Sequence, residues 1–382
     1  MRVLITTTGS AGHLGPLIPF AEAIRDAGGD VLLATRDSTA DQVRATGYDV
    51  RSFGEAPDEE RGPIFAAARG LSSDEANALV VSAVFAGMDA RAALPHVLEI
   101  CADWRPDVVL SELGEFAGGL AAAHLDLPTV GVGITQAAVE QRVLGPTNAA
   151  LRKLRAELGL RAANGAGSAY FTLFPSLMED PALPGPAHIR RFREHDGPAP
   201  QPLPDWWDGA GEPLVYLTFG SVAPQMEFFP AVYRAAIDAL AGLPIRLLVT
   251  VGRDRDPAEL GPVPANVHVE RWVPQLDVMP HASAMVCHGG SGTVRAALAA
   301  SVPLVVLPLF ADQPNNAARV DALGAGIALP DGPSGIAGMA DAVRAVLADE
   351  RYARRAAAVA AEIRALPTVD VAAGIVRELA LR

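Results

Sequence analysis

The chain has 382 residues, of which 50% are hydrophobic and 20% charged, a composition typical of globular proteins rather than disordered chains. Its formal net charge of −13 argues against nucleic acids and anionic membrane surfaces as partners. No stretch approaches the roughly 20 apolar residues of a membrane helix, and the first residues lack the pattern of a secretory signal. Cys101 and Cys287 lie far apart without metal-ligand spacing. We therefore expect a cytoplasmic protein of two domains with no stable membrane insertion.

Both halves of the chain open with an apolar strand, a glycine-rich turn and a helix. In the first half a strand at 2–7 precedes the turn at 9–15 and a helix near 16–27. In the second half a strand at 214–219 precedes a short turn and a helix near 230–241. Short apolar strands between helices predict α/β domains with doubly wound parallel sheets, whose ligands bind beyond the carboxyl ends of the strands. The further predicted strands are 31–35, 108–110, 129–132, 246–251, 267–270, 284–287 and 304–307.

The two halves are separated by residues 195–212, a segment dense in proline and glycine without hydrophobic periodicity. This composition predicts a linker. We assign residues 1–196 to the N-terminal domain, 197–212 to the linker and 213–366 to the second domain. Beyond these, Pro367 interrupts the last helical stretches, which allows the chain to change direction before a terminal helix.

The segment 286–316 has the pattern of an anion site. A short strand runs into His288 and four residues of which three are glycine, and an alanine-rich helical stretch follows. Glycines let the backbone approach a phosphate closely, and the N–H groups of the following helix start point at it with the helix dipole behind them. The next strand ends near Asp312 and Gln313, which favours a site for hydroxyl groups. A phosphate site beside a hydroxyl site fits a sugar diphosphate.

Two further side chains are candidates for the phosphate site. The imidazole of His288 could donate to a diphosphate oxygen and stabilise the charge that grows on a leaving group. Ser221 follows the first strand of the second half and could donate to a phosphate oxygen, although serine is also an ordinary turn residue.

A second histidine, His13, lies in the first glycine-rich turn. The glycines at positions 9, 12 and 15 do not match the dinucleotide fingerprint, which disfavours a phosphate cradle there. What remains is an imidazole suited to take a proton near neutral pH, or a histidine that packs at a helix start. Glu112, at the end of a strand, is the candidate to orient His13. Glu115 and Asp107 are weaker candidates. Glu112 could instead be a solvated glutamate with no catalytic role.

Trp272 and Val273 follow the strand at 267–270. An aromatic ring at a strand end can stack on a pyrimidine while the backbone of Val273 pairs with its edge, although a structural tryptophan fits equally. Asp254 and Asp256 resemble the D-x-D pair that holds a divalent metal in some sugar transferases. Because they lie in a charge-rich loop, we expect a solvated loop and no bound metal, with the helix start after His288 supplying the counter-charge.

Four segments carry a family resemblance: GSAGHLGPLIPFAEAI, LTFGS, ERWVPQLDVMPHASAMVCHGGSGTV and PLVVLPLFADQPNNA. They occur in order along most of the chain. The sequence resembles the inverting glycosyltransferases of the GT-B fold, in the branch with plant and bacterial small-molecule enzymes and those of actinobacterial natural products. The resemblance implies two Rossmann-like domains that face each other across a cleft, with the terminal helix 367–382 packed back on the first.

The resemblance also implies an inverting transfer of a hexosyl type without metal or resident cofactor. His13 would deprotonate an acceptor hydroxyl, and a nucleotide diphosphate, TDP or UDP, would leave. The family's usual partner of this histidine is aspartate, where this chain has Glu112. The donor site implied by the family pattern comprises Ser221, Trp272, Val273, His288, Gly290, Ser291, Gly292, Thr293, Asp312 and Gln313.

The acceptor side is the least defined by sequence. Residues 54–75 and 134–167 are expected to form loops around a hydrophobic small molecule such as a natural-product aglycone. Candidate wall residues are Phe65, Leu79, Phe85, Met88 and Val143, each of which could equally belong to the core. A second copy of the chain is a further candidate partner. Three alternatives stay open: a cell-wall lipid glycosyltransferase, a sugar-nucleotide 2-epimerase of the same fold, and a non-catalytic auxiliary protein.

Overall fold

A computed structural model describes residues 1–157, 159, 168–183, 185–186, 188–197, 200–201, 203–204, 211–330 and 332–381. The chain divides into two compact units. The first combines Met1–His195 with Leu366–Arg382, and the second is Asp196–Ala365. Half of the predicted linker, at 198, 199, 202 and 205–210, lies outside the described residues.

The first unit is built on a seven-stranded parallel sheet in the order β3-β2-β1-β4-β5-β6-β7. Its strands are β1 Arg2–Thr6, β2 Asp30–Arg36, β3 Asp49–Phe53, β4 Val108–Glu112, β5 Thr129–Val132, β6 Ala169–Thr172 and β7 Ile189–Arg191. Its described α-helices are α1 Ala11–Leu14, α2 Ile18–Asp26, α3 Ala40–Arg44, α4 Asp58–Ala68, α5 Ser73–Val80, α6 Ala90–Trp104, α7 Ala117–Leu125 and α8 Ala137–Glu157.

The two faces of this sheet are buried under different helices, because successive side chains of a strand point to opposite faces. Val3 and Ile5 of β1 pack with α2 and with the C-terminal helix of the chain. Leu4, between them, packs with α6 and α7 on the opposite face. Burial on both faces explains why the strands are continuous apolar runs.

One helical run in this unit is long and apolar. Helix α5, a π-helix at Val81–Asp89 and α6 form a continuous run from Ser73 to Trp104. By length and composition alone it meets the criteria for a membrane span, which the sequence analysis did not expect, and 39% of its apolar window is buried within the protein. Such a run is a weak indication, since core helices meet the same criteria; this one packs against α7 and α8.

The prediction of loops at 54–75 and 134–167 is wrong for most of those residues. Helix α4 continues past Pro63, and α8 runs 21 residues through Pro146. Ser72 and Glu75 form a capping box that starts α5. Proline removes one hydrogen bond from a helix but does not end it when packing supports both sides, and α8 packs against the π-helix and α5. Residues 158 and 160–167 lie outside the described part.

The second unit is built on a six-stranded parallel sheet in the order β10-β9-β8-β11-β12-β13. Its strands are β8 Leu214–Thr218, β9 Arg246–Thr250, β10 Val267–Glu270, β11 Ala282–Cys287, β12 Leu304–Val306 and β13 Gly326–Ala328. Its described α-helices are α9 Ala231–Leu240, α10 Gln275–Val278, α11 Ser291–Ala299, α12 Gln313–Leu323, α13 Met339–Ala348 and α14 Glu350–Ala365. Its core joins β8, β9 and β11 to α9 and α13.

The last helix, α15 Val369–Ala380, belongs to the first unit. Its apolar face, which includes Val369 and Val376, lies in the same core cluster as β1 and α2. Before it, the chain is paired with the end of the first segment: Arg193 donates to the Pro367 carbonyl at 2.9 Å and accepts from Val369 at 3.0 Å. The first unit is therefore made of two stretches far apart in sequence.

The predicted fold class, two α/β domains with doubly wound parallel sheets, is confirmed. In each sheet the strand order reverses direction between two neighbours, β1 and β4 in the first and β8 and β11 in the second. Such a switch point opens a crevice at the carboxyl ends of the strands, where ligands of doubly wound folds bind. His13 and Glu112 of the first unit, and Ser221 and His288 of the second, lie at or soon after the carboxyl ends of these four strands.

Candidate active site

His13 and Glu112 meet at the switch point of the first sheet. β1 and β4 are neighbours, with Thr6 paired to Ser111, so the segments that follow them begin side by side. Nδ1 of His13 lies 2.8 Å from Oε2 of Glu112, whose side chain is fully buried, whereas 22% of the His13 side chain is exposed. A carboxylate can only accept, so Nδ1 donates and the neutral ring carries its lone pair on Nε2. The pair has the geometry of a base oriented by an acid.

Glu112 is held by more than the histidine. Its Oε1 accepts the backbone N–H of Thr8 at 2.8 Å, and its Oε2 also accepts the N–H of Gly114. Burial alone would raise the pKa of Glu112, but the charge of His13 and the hydrogen bonds from His13, Thr8 and Gly114 lower that pKa below its usual value. The carboxylate is thus ionised at neutral pH and fixed in place.

The two weaker candidates for the partner of His13 have other roles. Glu115 is buried and accepts the N–H groups of Ala117 and Gly118 at 2.7 and 2.9 Å, at the start of α7. Burial raises its pKa. Asp107 lies at the opposite, amino-terminal end of β4, where it accepts the N–H of Arg2 at 2.7 Å. The structure therefore separates structural carboxylates from the one that contacts His13.

Phe85 stands next to the histidine. Its ring centroid is 6.1 Å from that of His13 in an edge-on arrangement, and the guanidinium of Arg36 lies 5.2 Å from the Phe85 centroid. Arg36 is paired at 3.0 Å with the buried Asp89, the last residue of the π-helix. The N–H of Ala90 donates to the Phe85 carbonyl, the i to i−5 bond of a π-helix. Such helices occur often at functional sites, and this one places a predicted acceptor-wall residue beside the candidate base.

The other predicted wall residues lie on the neighbouring helices. Phe65 on α4 is 44% exposed, and three are half-buried: Leu79 on α5, Met88 in the π-helix and Val143 on α8. None of the five is a fully buried core residue, so an acceptor contact stays a prediction for each.

A cavity of about 930 Å³ begins at Glu112 and is lined by α7, α8, β5 and β6. The five predicted wall residues do not belong to its described lining. Glu140, which the sequence analysis missed, lies there; its Oε1 accepts the N–H groups of Ile134 and Thr135, and its Oε2 accepts the Tyr170 hydroxyl. Burial raises the pKa of Glu140 to about 7. Its position on α8, a predicted loop, gave no sequence signal for this burial.

In the second unit His288 follows β11 at the switch point. A Cβ on Gly220, whose φ is +77°, would lie 2.7 Å from the His288 ring, and a Cβ on Gly290 would lie 2.4 Å from it. The absence of a side chain at both positions therefore leaves space for the imidazole. Burial lowers the pKa of His288 to about 4, so the ring is neutral at pH 7. Its Nδ1 is buried without a hydrogen-bond partner among the described residues. A buried ring nitrogen of this kind is suited to bond to a ligand.

The glycine-rich loop continues into α11, whose first turn holds Ser291, Gly292 and Thr293. The N–H groups of a first helical turn have no acceptor within the helix, which suits them to an anion. The Ser291 hydroxyl itself donates to Oδ2 of Asp312 at 2.7 Å. An anion at this turn would therefore meet backbone N–H groups while the serine hydroxyl is already engaged.

The two predicted hydroxyl-binding residues differ in their surroundings. Asp312 is partly exposed and precedes α12. Gln313 is 3% exposed, and its Oε1 accepts the N–H groups of Leu309 and Phe310 at 2.8 and 3.0 Å. Only the amide nitrogen of Gln313 is thus suited to contact a sugar. Asn316, missed by the sequence analysis, contacts Asp312 at 2.9 Å.

Trp272 and Val273 follow β10. Trp272 is 49% exposed and Val273 is buried. The guanidinium of Arg253 lies 3.7 Å from the Trp272 ring centroid, a cation–π contact that covers one ring face. Ser221 is exposed and follows Gly220 after β8. Each of these residues lies at the carboxyl edge of the second sheet, as the sequence analysis predicted.

Asp254 and Asp256 both have hydrogen-bond partners within the protein. Asp256 caps the turn Pro257–Leu260, and Asp254 accepts from Gln225 at 3.3 Å. Across the described residues, no cluster of three or more His, Cys, Asp or Glu side chains has the arrangement of a metal site.

Known proteins match this chain over its full length. The family model described as erythromycin biosynthesis protein CIII-like, C-terminal domain, matches residues 234–379. The elloramycin glycosyltransferase ElmGT of Streptomyces olivaceus is 32% identical over 98% of this chain and 96% of its own. The L-demethylnoviosyl transferase of Streptomyces niveus is 30% identical over 98% of this chain and 97% of its own. The chain belongs to the natural-product glycosyltransferases.

Solved structures agree on the fold of this glycosyltransferase. The spinosyn rhamnosyltransferase SpnG has a TM-score of 0.84 at 23% identity and covers 99% of this chain and 100% of its own. The glycosyltransferase SnogD from Streptomyces nogalater has a TM-score of 0.75 at 26% identity, covering 100% and 99%. The predicted GT-B fold and glycosyltransferase class are confirmed.

Proposed function

We propose that this glycosyltransferase moves a sugar from a nucleoside diphosphate, TDP or UDP, to a hydroxyl of a hydrophobic natural-product aglycone with inversion at the anomeric carbon. The observation that carries the proposal is the contact of His13 with the buried Glu112 at 2.8 Å. A neutral imidazole with its Nδ1–H on a carboxylate can take the acceptor proton at Nε2. The acceptor oxygen then attacks the anomeric carbon as the bond to the diphosphate breaks.

The donor side is supported by the second switch point. The first-turn N–H groups of α11 and the neutral ring of His288 would bind the diphosphate and stabilise the charge that develops on it. Ser221 would assist, Asp312 and the Gln313 amide would bind sugar hydroxyls, and Trp272 would stack on the base while Val273 pairs with its edge. SpnG, the structural neighbour, has been solved in complex with thymidine diphosphate.

On the acceptor side, Phe85 and the apolar side chains of Phe65, Leu79 and Val143 on α4, α5 and α8 favour a hydrophobic molecule. SpnG has also been solved with spinosyn aglycone. The glycosyltransferase would need no resident cofactor and no metal, because helix dipoles and His288 meet the leaving group. With a net charge of −13, we expect it to act in the cytoplasm on dissolved substrates rather than at anionic membranes.

The proposal is tested by incubating the protein with TDP- and UDP-α-glucose, with and without a panel of polyketide and phenolic aglycones. We expect nucleoside diphosphate to appear only with acceptor, and the glycoside to show a β anomeric coupling by NMR. An α-glycoside would contradict inversion. Conversion of the donor without acceptor would instead indicate the 2-epimerase alternative, transfer to lipid-linked acceptors alone the cell-wall alternative, and no binding of any donor the auxiliary protein.

A further inference from the structure

The side chain of Asn316 joins the two subsites of the proposed donor site. Asn316 is completely buried on α12. Its Nδ2 donates to the carbonyl of Gly289 at 2.9 Å, to Oδ2 of Asp312 at 2.9 Å and to Oγ of Ser291 at 3.1 Å. Gly289 and Ser291 belong to the glycine-rich loop, and Asp312 is the candidate ligand of sugar hydroxyls. One amide therefore contacts both subsites.

The cluster is closed by bonds that fix its geometry. Ser291 donates to the same Oδ2 of Asp312 at 2.7 Å, so this oxygen accepts two hydrogen bonds and the direction of Oδ1 is set. The position of Asn316 is set in turn by the helix, where its N–H donates to the Asp312 carbonyl at 3.1 Å. Hydrogen bonds in a buried network reinforce one another, and the loss of one partner leaves the others unsatisfied.

We propose that Asn316 is a positioning residue that makes diphosphate binding and sugar binding interdependent, by holding the glycine-rich loop and the Asp312 carboxylate in one arrangement. The inference rests on the proposed function, because it assigns these residues to one donor molecule. Without the Asn316 amide, the Gly289 carbonyl loses its donor and, among the described residues, Oδ2 of Asp312 keeps only the Ser291 hydroxyl as a donor. The loop can still offer its N–H groups to a diphosphate, but the Asp312 carboxylate is held less firmly in the direction of the sugar.

The interdependence of the two subsites is measured by the gain in affinity that the sugar provides. This gain is the ratio of the Kd for TDP to the Kd for TDP-glucose. The same ratio is measured in parallel for UDP and UDP-glucose. We expect this ratio to fall about tenfold in Asn316→Ala, the effect of losing one or two hydrogen bonds to a charged group. The TDP affinity itself should change less. Isothermal titration calorimetry on the full chain measures both constants.

Asn266 offers a matched control in the same unit. Its Nδ2 donates to the carbonyls of Ala241 and Ile245 at 3.2 and 3.0 Å, so it also braces backbone carbonyls. Asn266→Ala should lower the melting temperature to a comparable extent and leave the affinity ratio unchanged. A purely structural role of Asn316 would give the same result as this control.

Asn316→Asp keeps the side-chain volume and keeps the test open if the alanine variant does not fold. At pH 7.5 a carboxylate at 316 repels Asp312, and the ratio should fall. Toward pH 5 protonation of the introduced carboxyl group restores one donor, and the ratio should recover in part. The wild-type protein at the same pH values corrects for the effect of pH on the rest of the site and on the nucleotide phosphates.

Different binding results would contradict the role of Asn316 and the proposed donor site. Wild-type binding with an unchanged ratio in both Asn316 variants, or a wild-type ratio near one, overturns the role of Asn316 and leaves the glycosyltransferase assignment standing. Failure of the wild-type protein to bind any nucleoside diphosphate contradicts the proposed donor site instead.

Discussion

Nδ1 of His13 lies 2.8 Å from Oε2 of Glu112, at a position where the family resemblance implies an aspartate. The same carboxylate accepts the backbone N–H groups of Thr8 and Gly114, which fixes its position beside the ring. Glu112 is therefore placed to orient His13. This relationship gives the first two predictions.

Replacement of His13 by alanine removes the proposed base. We expect kcat for transfer to a hydroxyl acceptor to fall about 10²- to 10⁴-fold. The Kd for TDP should stay within about twofold, because the donor residues lie on the other unit. His96→Ala is the matched control, since His96 is exposed and its Nδ1 bonds to the carbonyl of Ala92 in its own helix. A collapse of TDP affinity in His13→Ala would show that this histidine belongs to the nucleotide site.

Glu112→Gln tests the orientation of the ring. A glutamine can present its amide N–H₂ to Nδ1, which reverses the tautomer and removes the lone pair from Nε2. We expect kcat to fall at least about 100-fold, whereas Glu112→Asp, which keeps the charge, should retain more activity. Equal activity in both variants would argue against a role for the carboxylate charge.

His288 makes stability depend on acid. Its pKa is about 4 when folded and near 6.5 when unfolded, so the unfolded chain binds the proton first. Its contribution to the free energy of unfolding is fully present above pH 6.5. As the pH falls toward 4, that free energy decreases by about 3 kcal/mol. His288→Asn should lack this loss. Urea unfolding at pH 7 and pH 4.5 measures it, with the exposed His281→Asn as control; parallel pH profiles of wild type and His288→Asn would contradict it.

Glu140 acts in the opposite direction. Its folded pKa of about 7 exceeds its usual 4.5, so the folded chain holds the proton more tightly. The resulting contribution to the free energy of unfolding is fully present below pH 4.5. It is lost as the pH rises through 7, which again amounts to about 3 kcal/mol. Glu140→Gln keeps an acceptor for Ile134 and Thr135 and does not titrate. We expect it to be more stable than wild type at pH 8 and no more stable at pH 4.5, by urea unfolding.

Chelation tests the metal-free mechanism. The carboxylate of Asp254 accepts from Gln225 and that of Asp256 caps the turn Pro257–Leu260, and the diphosphate would meet helix N–H groups. We expect the initial rate to be the same with EDTA and with added Mg²⁺. A rate lost to EDTA and restored by Mg²⁺ would return both aspartates to consideration as ligands.

The sequence predicted those parts of the site that follow directly from strand ends. His13, Glu112, His288 and Trp272 each come soon after a short apolar strand, and parallel strands bring their carboxyl ends to one edge. Which carboxylate would contact His13 could also be argued, because Asp107 precedes its strand.

The remaining features depend on contacts that no local pattern encodes. Helix α8 contains Pro146 and was predicted as a loop. The helix continues through this proline because it packs against neighbouring helices, and that packing cannot be read from local helix propensity. The resemblance placed Ser291 in the donor site, but no local pattern indicates that its hydroxyl bonds to Asp312, because that bond depends on how α11 and α12 pack. Asn316 had a faint signal, a polar residue on the helix face that also buries Gln313 and Val320.

The pairing of Arg193 with Pro367 and Val369 has a practical consequence for engineering. Exchange of the first unit between homologues by joining gene halves near residue 196 would supply that unit without its own closing helix. Val369, Ala372 and Val376 would then come from the other parent and meet a foreign β1 and α2. Chimeras that transplant both ends of the coding sequence together keep the contacts between the last helix and the rest of the first unit.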